Sequence, residues 1–179
     1  MSLKRFGFAL VVMMLACPAA GRAQPDGQHD FDFEFGTWKT HIRRLLQPLS
    51  GANAWADLDG FSTVRRVWDG RANLGELEVS NATSRIQGLS LRVYNPESRQ
   101  WSIYWASSRD GRLGTAMVGG FKNGRGEFFN QEIFQEKAIY VRFVFSNITP
   151  TSFRLEQAFS ADGGATWEAN WIATFTREG

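Results

Sequence analysis

From Trp38 onward, apolar and polar residues alternate in short runs separated by turn formers. A two-residue period of this kind belongs to strands that bury one face and wet the other. The runs are Trp38 to Leu46, Phe61 to Trp68, Leu74 to Val79, Leu89 to Tyr94 and Trp101 to Ser107, followed by Thr115 to Phe121, Glu127 to Phe134, Ile139 to Ser146, Phe153 to Ser160 and Trp167 to Thr176. The pattern predicts about ten strands at the spacing of all-β sandwiches and barrels, with no amphipathic helix.

The breaks between runs have mechanisms. Asn95-Pro96 bars the helical region before the proline and starts a reversal. Asn123-Gly124 suits the positive φ angles of a type I′ hairpin, and Asp110-Gly111 gives a similar signal. Thr149-Pro150 separates the eighth run from the ninth. Strands joined in order by short turns form a meander. Ten of them either close or leave a long open edge, so the expected fold is a single antiparallel up-and-down β-barrel, with a β-sandwich as the alternative.

Alternation also assigns faces. Trp167, Ala169, Trp171, Ala173 and Phe175 share one face of the last run. Val141, Phe143 and Phe145 oppose Tyr140, Arg142 and Ser146; Phe153, Leu155, Gln157 and Phe159 oppose Arg154 and Glu156. Two runs read either way: Trp101, Ile103 and Trp105 against Ser102, Tyr104 and Ala106, and Leu89, Leu91 and Val93 against Ser90, Arg92 and Tyr94.

The first 23 residues follow another rule. Lys4 and Arg5 precede an apolar run from Phe6 to Ala16, and the small-residue stretch Pro18 to Ala23 comes next. Charged, apolar, then small is the order of a bacterial secretory signal, expected over residues 1–23 with cleavage before Gln24. An apolar run of this length is too short to span a hydrocarbon core of ~30 Å. Leu15-Ala16-Cys17 is a partial lipobox, with Met14 where Leu is usual, so a lipid anchor at Cys17 is the alternative to a free form. Removing Lys4, Arg5 and Arg22 leaves 17 basic against 18 acidic residues, so the whole chain's net +2 is no sign of nucleic-acid binding. Cys17, the only cysteine, goes with the leader, and the domain must be held by its core. The expected plan is signal 1–23, leader segment 24–34 and barrel 35–179, in the periplasm or secreted.

The segment Phe31 to Trp38 contains Gly36-Thr37-Trp38 at the first strand, and Arg177 closes the last. Together these resemble the structural signature of calycins, in which a first-strand Trp packs under a terminal Arg at the closed end of the barrel. Gly88 to Pro96, Trp101 to Ala106 and Gln157 to Arg177 further resemble a bacterial family of secreted lipocalin-like domains of unknown function. The resemblance covers nearly all of residues 29–178. It implies a barrel able to enclose a small ligand, with Trp38 and Arg177 in structural roles, and it implies no activity. A related calycin group binds haem through a glycine-rich first strand and a late histidine. This chain has only His29 and His41, both early, so no cofactor is expected.

Sharper chemistry finds less support. Ser160 to Trp167 matches the Asp-box pattern of sialidases, but one box is a hairpin: Asp162 accepts hydrogen bonds from the turn, and Trp167 is expected to pack inward. His29, Asp30, Asp32 and Glu34 lack a recognisable metal spacing and read as a solvated leader. His41 falls opposite Trp38 and Ile42, on the surface. The sequons at Asn81 and Asn147 carry little meaning if the host is bacterial. There is no Gly-x-Ser-x-Gly elbow and no phosphate loop.

The expected function is an exported barrel that binds a small apolar or aromatic molecule, with Arg92, Tyr104, Trp105, Glu132, Gln157 and Trp171 as candidate ligand contacts. One alternative is a cofactor-free isomerase, lyase or hydratase using Glu132 or Glu76 beside Arg92 or Tyr104, which requires a carboxylate inside the barrel with a raised pKa. Another is a structural or partner-binding envelope protein.

Overall fold

The computed structural model describes residues 26–178. The signal expected at 1–23 and the lipid anchor at Cys17 lie outside them. Ten strands run in order: β1 (Gly36–Leu45), β2 (Trp55–Val67), β3 (Ala72–Ser80), β4 (Arg85–Asn95), β5 (Gln100–Ser107), β6 (Met117–Lys122), β7 (Arg125–Phe134), β8 (Lys137–Ser146), β9 (Ser152–Ser160) and β10 (Glu168–Arg177). Each pairs antiparallel with its sequence neighbours, and β1 pairs with β10. The result is a closed up-and-down barrel, and closure removes the open edges that a ten-stranded sandwich would leave.

All ten apolar runs became strands, and the turns follow local chemistry. Asn123 and Gly124 take φ of 53° and 73°, as a type I′ hairpin requires. The β7–β8 turn has the same left-handed geometry at Gln135 and Glu136 (φ 49° and 64°), with no glycine to announce it. Asp110-Gly111 does not make a tight hairpin. β5 and β6 share only the pairs from Trp101↔Gly119 to Ile103↔Met117, and residues 108–116 form a broad loop between them at one rim.

The face assignments hold for β8 and β9, whose Val141, Phe143, Phe145, Phe153, Leu155, Gln157 and Phe159 point inward. β5 turns Ile103 and Trp105 inward, and β4 turns in its polar set, Ser90 and Arg92. β10 departs from strict alternation. Pairing runs Glu168↔Phe159 and Ala169↔Ala158 but then Trp171↔Gln157, so Asn170 is an extra residue, a β-bulge that flips the face. Trp171, Ala173 and Phe175 therefore face inward. Trp167, expected inward, instead packs outside: its ring lies 6.2 Å from that of Phe129 and 4.5 Å beneath the Arg142 guanidinium.

The largest correction concerns the leader. Residues 26–35 do not run solvated up to the barrel; they fold across its lower end. Phe31 is fully buried and meets Trp101, Phe121 and Phe145 edge-on, with ring centroids 4.9–5.3 Å apart. A one-turn 3-10 helix (Asp32–Glu34) then brings Glu34 inside, 1% exposed. Hydrogen bonds from Trp101 Nε1 to Gly27 O (2.9 Å) and from Tyr94 to Asp26 O tie the plug down. Where the plug meets β1, Arg177 covers Trp38 with its guanidinium 4.2 Å above the ring, and donates to the carbonyls of Phe33, Phe35 and Pro150. Gly36 sits under that guanidinium with φ +113°, and a Cβ there would stand 2.9 Å from Arg177 Nη1. The Gly-x-Trp element is thus explained by backbone conformation and by space.

Candidate functional site

Above the plug the barrel interior is not filled. A cavity of about 520 Å³ rises from the plug to the rim formed by the β3–β4 hairpin and the loop 108–116. That lies within the range of small-molecule sites, ~300–1,000 Å³. Its middle walls are apolar and aromatic: Ile42, Val64, Ile103, Met117, Val141 and Phe143, with Phe153 and Phe175 lower down.

The charged groups collect at the two ends, while Ser62, Ser90 and Gln157 add polar points along the wall. At the deep end, Arg92 of β4 reaches between the plug and the opposite wall, 4.9 Å from the Phe31 ring centroid and 6.0 Å from that of Phe145. Its Nη1 donates to Asn73 Oδ1 (2.9 Å) and lies 2.5 Å from Glu34 Oε2. The approach to Glu34 is too oblique to be a hydrogen bond. Both carboxylate oxygens, Arg92 Nε and Asn73 Nδ2 are buried without a hydrogen-bond partner. Each such group costs about 1–3 kcal/mol until something satisfies it. Burial pushes the Glu34 carboxyl above its ordinary range, against the pull of the adjacent guanidinium.

Near the rim, Trp105 lies flat across Gly88, and a Cβ at Gly88 would overlap its indole. Glu132 Oε1 accepts from Asn130 Nδ2 (2.8 Å), which also donates to Thr115 O (3.2 Å). Gln157 donates to Asn170 Oδ1 (2.7 Å), so the β10 bulge places an amide beside the cavity wall. Arg44 and Arg109 border the opening.

Five of the six residues singled out from the sequence line this cavity: Arg92 at its base, Gln157 and Trp171 on the wall, Trp105 and Glu132 near the rim. Tyr104 does not join them, because β5 alternation turns it outward between the inward Ile103 and Trp105. Glu76 borders the opening, but it is exposed and pairs with Thr63 and Leu89 on the outer face. Among the described residues, the buried carboxylate is Glu34, which the sequence reading left in a solvated leader. Its signal was present in Phe31-Asp32-Phe33-Glu34-Phe35, where three phenylalanines flank the acid too densely for a wet segment.

The remaining motifs fall outside the cavity. His41 is on the outer face between Asp57 and Asp59. The Asp box is a hairpin lock: Asp162 accepts from Thr166 Oγ1 (2.6 Å), Thr166 N (2.9 Å) and Ser160 Oγ (2.7 Å).

No protein-family model matches the chain, and no curated protein matches it in sequence. Solved structures do resemble it. The S-type phycobiliprotein lyase CPES from Guillardia theta superposes with a TM-score of 0.56 at 13% identity, covering 85% of this chain and 92% of that one. A redesigned β-barrel (TM-score 0.46, 10% identity, 84% and 96% covered) and EF1p2_mFAP2b bound to DFHBI (TM-score 0.46, 11% identity, 85% and 99% covered) are more distant. At these identities the likeness concerns the fold alone, a closed ten-stranded antiparallel barrel.

Proposed function

We propose that this protein is exported and binds a small, mainly apolar or aromatic molecule inside the barrel. The observation that carries the reading is the 520 Å³ cavity, walled mainly by aliphatic and aromatic side chains with charged groups at its two ends. Apolar walls give affinity, and a few placed polar groups fix orientation. The aromatic plug seals the lower end, so the ligand enters at the rim between the β3–β4 hairpin and the loop 108–116.

Native mass spectrometry of protein recovered from its own cell envelope tests this directly. The expected spectrum shows the chain cut before Gln24 with an added mass that disappears on denaturation. A bare chain of that mass, and no uptake of aromatic probes in vitro, would overturn the binding reading. A mass that retains residues 1–23 would overturn export.

One observation favours a second reading. Glu34 is a buried carboxyl with a raised pKa, set against a cation and bordering the cavity, as an acid/base of a cofactor-free isomerase or lyase would be. Incubating the recovered molecule with fresh protein separates the two: a carrier returns it unchanged, and an enzyme returns a product.

A further inference from the structure

The polar groups at the two ends of the cavity restrict what the ligand carries, and this inference rests on the binding reading above. At the deep end two acceptors, Glu34 Oε1 and Oε2, and two donors, Arg92 Nε and Asn73 Nδ2, have no hydrogen-bond partner, although Oε2 is ion-paired with Arg92 Nη1. Glu34 and Arg92 are 1% and 7% exposed, and both line the cavity. Their charges face each other at 2.5 Å. An incoming anion would meet the carboxylate and an incoming cation the guanidinium, so neither is favoured there. A neutral group that donates to Glu34 while accepting from Arg92 answers one acceptor and one donor without adding charge; Asn73 stands behind Arg92 and is not part of the cavity lining.

The rim carries charges of both signs, but its carboxylates are turned away or engaged: Glu76 is exposed on the outer face and Glu132 accepts from Asn130. Arg85 is held by Glu78 outside the barrel (2.5 Å), but Arg44 and Arg109 take no part in an ion pair among the described residues. Arg44 ends the inward row of β1 and stands across from Trp171 of β10. Two guanidiniums bordering the same opening, in a cavity whose lining includes Trp105 and Trp171, suit an anionic group on an aromatic body.

We propose that the ligand is a two-ended aromatic molecule. A phenolic or enolic hydroxyl, or a lactam, meets the Glu34–Arg92 pair at the cavity base, and a carboxylate or similar anion remains at the rim with Arg44 and Arg109.

Three biphenyl probes test the assignment by titration calorimetry: one with a para hydroxyl on one ring and a para′ carboxylate on the other, its methoxy analogue, and para-hydroxybiphenyl without the carboxylate. The hydroxy acid is expected to bind wild-type protein about tenfold tighter than the methoxy acid, which cannot donate. Glu34→Gln should shrink that preference. The hydroxy-to-methoxy ratio on wild-type protein needs no variant, so a folding defect in Glu34→Gln leaves the test intact. Replacing Arg44 and Arg109 together by Gln should weaken the hydroxy acid severalfold and leave para-hydroxybiphenyl unchanged. Equal binding of the hydroxy and methoxy acids would show that ordered water satisfies the cluster, overturning the inference while binding itself stands. Failure of all three probes to bind would overturn both.

Discussion

Arg92 Nη1 on β4 lies 2.5 Å from Glu34 Oε2, a carboxylate delivered from the segment before β1, and the pair is sealed between Phe31 and Phe145. Burial raises the Glu34 pKa more than the guanidinium lowers it. A raised folded-state value means that Glu34 contributes most stability below its unfolded pKa, and that this contribution fades as pH climbs through the folded pKa. Gln cannot titrate. The melting temperature of wild type relative to Glu34→Gln should therefore fall as pH is raised from about 4 to about 8. Melts at matched ionic strength check this; a difference that is flat or rises with pH would refute it.

The Asp162 carboxylate gives the opposite slope. Hydrogen bonds from the Thr166 hydroxyl and backbone N–H, and from the Ser160 hydroxyl, hold its pKa down to about 2. Its contribution is present above the unfolded pKa and is lost as pH falls through the folded one. Asp162→Asn should be less stable than wild type at neutral pH, with the gap closing towards pH ~2. Acid titration of both proteins by near-ultraviolet dichroism reads this directly.

Arg177→Ala removes three charge-assisted hydrogen bonds to backbone carbonyls and the cover over Trp38. A loss of about 3 kcal/mol is expected in urea unfolding. Arg177→Lys should recover only part of it, since an ammonium cannot reach carbonyls on both sides of the plug at once.

Phe31→Ala empties the centre of the aromatic plug. The expected cost is about 3–5 kcal/mol, as for other fully buried phenylalanines. If the plug were an ornament on an independently stable barrel, the denaturation midpoint would barely move.

Gly88→Ala tests the rim without touching the polar clusters. The new methyl would occupy the space of the Trp105 indole, so the ring must swing away or the strands must part. The expected outcome is a red-shifted, more solvent-exposed tryptophan emission and weaker aromatic-probe binding, with the far-ultraviolet spectrum intact.

Much of this molecule could be read from residue order, and the exceptions have physical causes. A strand that buries one face writes its period into the chain, as β8 and β9 do with Val141, Phe143, Phe145 and Phe153, Leu155. Asn123-Gly124 announces its turn because those residues tolerate positive φ, whereas Gln135-Glu136 makes the same turn under pressure from the strands it joins. The bulge at Asn170 could not be foreseen, since one inserted residue leaves local alternation looking perfect while reversing which half faces inward. Glu34 was missed for a different reason. A charge next to a predicted first strand reads as solvent-facing, and its burial depends on Arg92, whose own face was ambiguous. Five of the six proposed contacts nevertheless border one cavity, because inward positions on successive strands of a barrel converge on a shared interior.

The pairing of β1 with β10 has a kinetic meaning. Trp38 faces Arg177 across that ladder, so the first strand acquires its second neighbour only when the ten residues of β10 have been placed. Such non-local closure is slow relative to the formation of hairpins. Without that pairing, a sheet of the other nine strands would have Gly36–Leu45 and Ser152–Ser160 as raw borders, each able to recruit a strand from another molecule. Refolding yield should therefore decline with protein concentration, as a first-order ring closure competes with a second-order collision, and a chain lacking β10 should be lost to that competition altogether.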